Sequence, residues 1–293
     1  MTLLLLACTA PEDQLTFTDS WELLVSNSDN NVLDLRFVRC NTGLLKGMGH
    51  ARGEVGRRRE TSIRLGYDAH PDEVEVLDRG LRLGPDYVEE TGDGWQVLFR
   101  EGTELDGYRD LRMAVASSGL EVEPLLLDGW TTEVAEPLGA VSGALAAGGR
   151  HRFLVGRGVL LHRYGPNPPT LAGARRDAVF ALAEDISVGV DQTGGDVVAW
   201  AWIDGELYQA SPVLTRDEGT VMVDFRPDLP LMMRVQEHGP RVTEDPYEEL
   251  SDPERIALDA WAGLPTRELT SGVAEIRWMD QALTAPALSL QVR

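Results

Sequence analysis

The chain predicts an all-β protein made of two antiparallel barrels in tandem, with one short helix near the end. Three observations carry this expectation. Short strand-like runs recur at close spacing, separated by polar turns, along nearly the whole sequence after Gln14. At 293 residues and 43% hydrophobic composition the chain has material for two ordinary cores. The second half also repeats the style of the first, with a faint internal echo.

The first half opens with Ser20 to Val25 and Val32 to Val38, joined by a run of Ser, Asn and Asp that suits a hairpin. Lys46 to Val55 follows, with Gly47 and Gly49 ahead of His50. Then come Ile63 to Tyr67, Glu73 to Leu77, Leu81 to Leu83, Tyr87 to Glu90, Trp95 to Arg100, Leu111 to Ala116 and Leu120 to Leu127. The most informative stretch, Val141 to Gly165, holds two strand-like runs around Gly148-Gly149 and ends in His162-Arg163-Tyr164-Gly165. Glycines within such a strand mark a bulge or a close backbone approach, which aims His162 and Tyr164 toward a cavity. Later runs are Ala178 to Ala183, Ile186 to Val190, Val197 to Ile203, Glu206 to Ser211, Thr220 to Phe225 and Leu231 to Glu237. Asp204-Gly205 is the strongest short hairpin signal among them. Ser251-Asp252-Pro253-Glu254 is a capping box; Leu250, Ile256, Ala257, Ala260 and Trp261 form an apolar face, and Gly263 stops the helix. One more strand, Val273 to Trp278, is expected after it.

The totals narrow the function. A formal net charge of −21 repels phosphate backbones, so nucleic acid is not expected as a partner. Two cysteines, Cys8 and Cys40, cannot build a disulfide framework or a Cys-rich zinc site. Leu5-Leu6-Ala7-Cys8 fits a bacterial lipobox, in which the Cys thiol takes a diacylglycerol and the chain is cut before it. The apolar run ahead of it is too short for a membrane-spanning helix. This predicts a lipid-anchored cell-envelope protein. Thr9 in place of Asp favours the outer membrane, with the protein facing the periplasm or the surface. The opening run lacks the positive charge usual in such signals. The other reading of the segment is an apolar N-terminal tail. Cys40 is then expected to be a free, buried thiol.

No phosphate loop, Ser elbow or catalytic Cys signature occurs, and no pair among the five His residues has metal-ligand spacing. No cofactor and no metal are therefore expected. Arg57-Arg58-Arg59 and Arg175-Arg176 read as solvated turns, although Arg forks also suit anions. Trp200 and Trp202 alternate with Ala199 and Ala201, so both rings leave one side of a strand, either lining a ligand pocket or filling a core.

The stretch with Val141, Gly143 and Leu145, then Gly156, Gly158, His162 and Gly165, resembles the lipocalin-like tandem-barrel family of carotenoid 1,2-hydratases, AttH-type proteins and fungal Diels–Alderases. There a "V-x-G-x-L" strand leads to "G-x-G-Y-x-D-H-x-W-G" at the start of the second barrel. His50-Ala51, Val198 to Ala210 and Gly272 to Glu275 resemble further family motifs. The resemblance implies two lipocalin-like (calycin) barrels. The division is then residues 1–14 as signal and tether, 15–135 as the first barrel and 136–293 as the second. It also implies a hydrophobic small-molecule ligand: a lipid, an isoprenoid or a polyketide-like compound. Tyr164 stands where the family often has Trp. Leu161 stands where it has an Asp thought to protonate a polyene, so His162 becomes the substitute proton donor, or else a structural His. Expected pocket residues are Leu161, Trp200, Trp202 and His50, with His162 and Tyr164 as candidate catalytic groups. Three functions stay open: a binder of a hydrophobic molecule, an enzyme that hydrates, isomerises or cyclises it, and a solid-cored structural lipoprotein.

Overall fold

The computed structural model describes residues 16–26, 32–42, 48–57, 60–101, 109–127, 130–147, 150–166, 176–193, 196–244 and 266–293. These residues are almost wholly antiparallel β, in two curled sheets. The larger sheet contains β1 (Thr16–Ser26), β2 (Val32–Thr42), β3 (Met48–Arg57), β4 (Glu60–Ala69), β5 (Val74–Leu77) and β6 (Gly80–Leu83). It continues with β7 (Asp86–Thr91), β8 (Gly94–Glu101), β9 (Arg109–Ala116), β10 (Leu125–Leu127), β11 (Trp130–Ala147) and β12 (Arg150–Pro166). The smaller sheet contains β13 (Arg176–Leu182), β14 (Ser187–Thr193), β15 (Asp196–Ile203), β16 (Glu206–Gln209) and β17 (Val213–Asp217). It ends with β18 (Thr220–Asp224), β19 (Leu231–Glu244), β20 (Arg267–Trp278) and β21 (Gln281–Val292). Among the described residues the one helical piece is a 3-10 turn at Pro71–Glu73. The helix expected around Ser251 to Trp261 and the lipobox expected at Leu5 to Cys8 lie outside the described residues.

The two sheets share one plan. In the larger, β1 pairs outward with β2, β3 and β4, while β12 returns to pair with β1. In the smaller, β13 pairs outward with β14, β15 and β16, while β21 returns to pair with β13. Each is a meander closed through its first and last strands. Its pairing is broken between the fourth and fifth strands: β4 from β5, and β16 from β17. The second half thus repeats the topology of the first.

Two corrections concern where the strands fall. The Val141–Gly165 hairpin was expected to open the second barrel, with the division at residues 135 and 136. Instead β11 runs straight through that point, and β12 pairs with β1 over ten residues, from Phe17↔Pro166 to Ser26↔Arg157. Sheet membership changes between Pro166 and Arg176. The physical reason is the face pattern of β12. Leu160 joins the core inside the first sheet while Val159 and Leu161 join the core between the sheets, matching Leu23 and Leu24 on β1. The second correction is at the C-terminus, where β20 is followed by a further strand, β21, that the weakly alternating, proline-containing sequence did not reveal.

Three cores result. One lies within the larger sheet and includes Trp21, Leu35, Phe37, Trp95, Phe99 and Leu111. A second lies within the smaller sheet, around Val188, Ala201, Phe225, Met233 and Ile276. The third joins them, where Leu24, Val134, Leu138 and Leu161 meet Phe180, Trp200, Leu269 and Leu288. Full burial of each large apolar side chain contributes about 1.5–3 kcal/mol, so this joint is a substantial part of the fold. The hairpin turn foreseen at Asp204-Gly205 is present, with φ of 56° and 80°, the left-handed pair a tight turn of this type requires.

A buried ion network crosses the same joint. Arg267 donates from Nε to Asp34 Oδ2 at 2.7 Å and from Nη2 to Asp34 Oδ1 at 3.1 Å, and also bonds Glu22. Arg176 bridges Glu22 at 2.7 Å and Asp191 at 2.6 Å. Glu22, Asp34, Arg176, Asp191 and Arg267 are all buried. Arg176, which read as part of a solvated turn, is therefore an interior residue. Its cation is needed there because a buried carboxylate requires a partner. Burial pushes the Glu22 carboxyl up, but the opposing charges of Arg176, Arg267 and Arg36 hold it down at about 2. For Asp34, burial outweighs Arg267 and Arg36, and its carboxyl is raised.

Candidate functional site

Strand alternation places the site. On β1, Asp19 and Trp21 face the inside of the larger sheet, because Trp21 belongs to its core while Glu22 and Leu24 face the smaller sheet. On β12, His162 and Tyr164 share that inner face. In register, His162 lies between Trp21 of β1 and Glu133 of β11. Its imidazole stacks on the Trp21 ring at 3.9 Å between centroids and 8° between planes. Tyr164 tilts against it at 4.7 Å, and Trp95 packs on Trp21 at 5.1 Å.

Two carboxylates grip the imidazole. His162 Nε2 lies 2.9 Å from Asp19 Oδ1, and Nδ1 lies 3.5 Å from Glu133 Oε2. The side chains of Asp19 and Glu133 are 9% and 32% exposed, so Asp19 is the fixed anchor and Glu133 the looser, wetter contact. Arg39 pairs with Asp19 at 3.4 Å, while Arg79 pairs with Glu133 at 2.7 Å and lies over the Trp95 ring. Burial pulls the His162 pKa down, but its bonds to Asp19 and Glu133 and their charges overcome this and raise it. Glu133 is lowered chiefly by its bond to His162, against burial and with help from Arg79. The result is an imidazole on an aromatic platform whose protonated form is favoured by two carboxylates, a group suited to donating a proton. The carboxylates lie on opposite ring nitrogens, so these three residues do not converge on one point as metal ligands would.

The other expected site residues lie elsewhere. Trp200 and Trp202 do leave one side of β15, but that side faces the larger sheet; Ala199 and Ala201 face the inside of the smaller one. Trp200 is fully buried, and its Nε1 donates to Ser187 Oγ at 2.9 Å, which in turn donates to the Pro137 carbonyl at 2.7 Å. It is a core residue of the joint. Leu161 is fully buried in the same joint, on the face of β12 opposite His162. Of the expected site residues, His162 and Tyr164 are together, while Trp200 and Trp202 lie apart from them on another strand and facing the joint. Trp202 instead lines a cleft of about 180 Å³ between the sheets, with Leu120, Leu138, Ala140, Arg157 and Glu184. His50 sits in β3 opposite Val38 and Asp68, three strands from β12; its side chain, the Cys40 side chain and Cys8 lie outside the described residues.

Sequence reasoning missed Asp19, Glu133, Arg79 and Arg157. Asp19 had a usable signal, since it sits two residues before Trp21 and so on the same strand face. Glu133 had none without the register of β11 against β12.

The fold defines a class: two meander sheets, each split at one seam, packed in tandem. Solved structures share it along nearly the full chain. An AttH-like protein from Nitrosomonas europaea superposes with a TM-score of 0.60 at 13% identity, covering 95% of this chain and 92% of that one. CghA gives 0.59 at 10% identity, covering 95% and 88%. Kievitone hydratase from Nectria haematococca gives 0.54 at 8% identity, covering 97% and 91%. The lipocalin-like tandem-barrel architecture implied by the sequence motifs is the one these structures have. No family model matches the chain, and no curated protein matches it in sequence.

Proposed function

We propose that this protein binds a hydrophobic small molecule at the aromatic end of the first barrel and transfers a proton to it from His162. The observation that carries the reading is the His162 imidazole held between Asp19 and Glu133 while stacked on Trp21. A proton donor beside apolar rings suits addition to, or isomerisation of, an unsaturated substrate. The donor gives its proton to carbon; in hydration water then adds and returns a proton to His162, and in isomerisation a carbon next to the cation gives up a proton to it. Asp19 orients the ring through Nε2, which leaves Nδ1–H, on the looser Glu133 side, as the proton that moves. Support by analogy comes from two proteins of the same fold, one named a hydratase and one solved with Sch210972. Leu5-Leu6-Ala7-Cys8 suggests a place: we propose an anchor at Cys8 in a bacterial envelope.

The test is a screen of unsaturated isoprenoids and polyketide-like polyenes against the intact protein, followed by His162→Gln. Turnover should vanish in that variant while ligand affinity changes less than about threefold, since only transition-state stabilisation is lost. Turnover that survives His162→Gln overturns the catalytic part. Binding without turnover in the wild type leaves a carrier, with Asp19–His162–Glu133 as a strand-bridging polar cluster.

A further inference from the structure

The cleft between the sheets is a separate feature from the His162 constellation. His162 points into the larger sheet, whereas Arg157 alternates with Val159 and Leu161 on the opposite face of β12. One wall is the larger sheet, through Leu138, Ala140 and Arg157, together with the Ser117–Leu120 segment. That segment is pinned by buried Glu136, which accepts from Ser118 N at 3.0 Å and from Ser118 Oγ, and also from Leu138 N at 3.0 Å. The other wall is Trp202 of the smaller sheet, with Glu184 from the turn between β13 and β14. The walls are therefore built before any ligand arrives.

Its chemistry is specific. Arg157 is half-buried and, among the described residues, has no ion pair or side-chain hydrogen bond. This contrasts with Arg163, Arg176 and Arg267 on the same joint, each of which has a partner. The indole of Trp202 is half-buried against the joint's core, with Leu138 and Leu120 also on the cleft wall. A guanidinium fork beside an apolar, aromatic wall suits a carboxylate carried on a flat apolar body. Size limits that body: a cavity of about 150 Å³ takes benzene, and this cleft measures about 180 Å³. Glu184, exposed at the rim, disfavours a second negative charge on the ligand.

We propose that this cleft is a binding site for a small monocarboxylate with a single ring-sized apolar body. The carboxylate pairs with Arg157 and the ring lies against Trp202 and Leu138. The site does not depend on the His162 reading, because the two share no residue and occupy opposite faces of β12.

The experiment titrates the full chain with benzoate and, separately, with its neutral isostere benzamide, using calorimetry and indole fluorescence. Benzoate should bind about tenfold more tightly, the lower end for a charge-assisted pair at a half-exposed site. Arg157→Gln should bring the two ligands within twofold. Glu184→Gln should tighten benzoate a few-fold by removing a like charge. Both positions lie outside the cores, so the fold tolerates these changes, and circular dichroism checks this. Equal binding of benzoate and benzamide, no benzoate binding at 10 mM (about 2.7 kcal/mol of affinity), or an unchanged preference in Arg157→Gln overturns the proposal.

Discussion

Replacing Arg267 by Met tests the ion network that joins the two sheets. Methionine keeps much of the length and apolar stem but removes both bonds to Asp34 and the one to Glu22. Glu22 retains Arg176 at 2.7 Å. Asp34 is left buried and facing the lost cation, and burial already favours its protonated form. The variant's least costly route is to fold with Asp34 protonated. At pH 7 that lies roughly three units above the ordinary value, and at about 1.36 kcal/mol per unit the loss is about 4 kcal/mol. The figure agrees with the roughly 3–5 kcal/mol typical of breaking a buried pair from one side. The same reasoning fixes a pH dependence. At pH 5 the interval is only about one unit, and the loss shrinks to about 1.5 kcal/mol. Urea unfolding of wild type and variant at both pH values measures this directly. Adding Asp34→Asn to Arg267→Met should recover at least half of the loss at pH 7. A loss under about 1 kcal/mol at pH 7, or one that does not shrink at pH 5, refutes the assignment of the network as a buried, mutually dependent set.

Other outcomes follow from single sites. By NMR, the His162 imidazole should titrate above its ordinary 6.5, and Asp19→Asn should bring it down. Because the folded value is the higher one, the stability it supplies is complete below about pH 6.5 and fades as pH rises through the folded value. A loss of that stability on the acid side would contradict the arrangement. Gly189→Ala should cost about 2 kcal/mol in denaturant, because an added Cβ would lie 2.2 Å from the Trp200 ring, buried and tied to Ser187. A neutral substitution there would mean the ring can move aside. In a bacterial host supplied with a complete signal sequence, labelled palmitate should be incorporated at Cys8 and lost in Cys8→Ser. A soluble, unlabelled wild type would remove the anchor.

The fold class was legible because alternation is a local property. Val32 to Val38, Trp95 to Arg100 and Val197 to Ile203 each announce a strand. Which strands share a sheet is not local. The Val141–Gly165 stretch has the pattern of a hairpin, but only pairing with β1, more than a hundred residues away, assigns it to the first sheet. The candidate site was half legible for the same reason. His162 and Tyr164 stood out by composition, whereas Asp19 and Glu133 reach the imidazole only through register across β1, β12 and β11. The tryptophans of β15 show the limit most clearly. Their shared face was readable, but which of the two faces looks into a barrel depends on where the other sheet lies.

The polarity of the joint has a consequence for how the two halves could ever be taken apart. The first half presents Glu22 and Asp34 to the joint; the second presents Arg176 and Arg267. Cut between Pro166 and Arg176, each fragment would carry an apolar face with charges that lose partners on the other: Glu22 and Asp34 lose Arg176 and Arg267, while Arg176 keeps Asp191. Neither would make a good free-standing module, yet the pair would be keyed to one another. An apolar face alone would let them slide, whereas two bridging guanidinium groups fix a single seating. The protein is in this sense a lock cut into its own hinge plate, and a split version of it should know its partner.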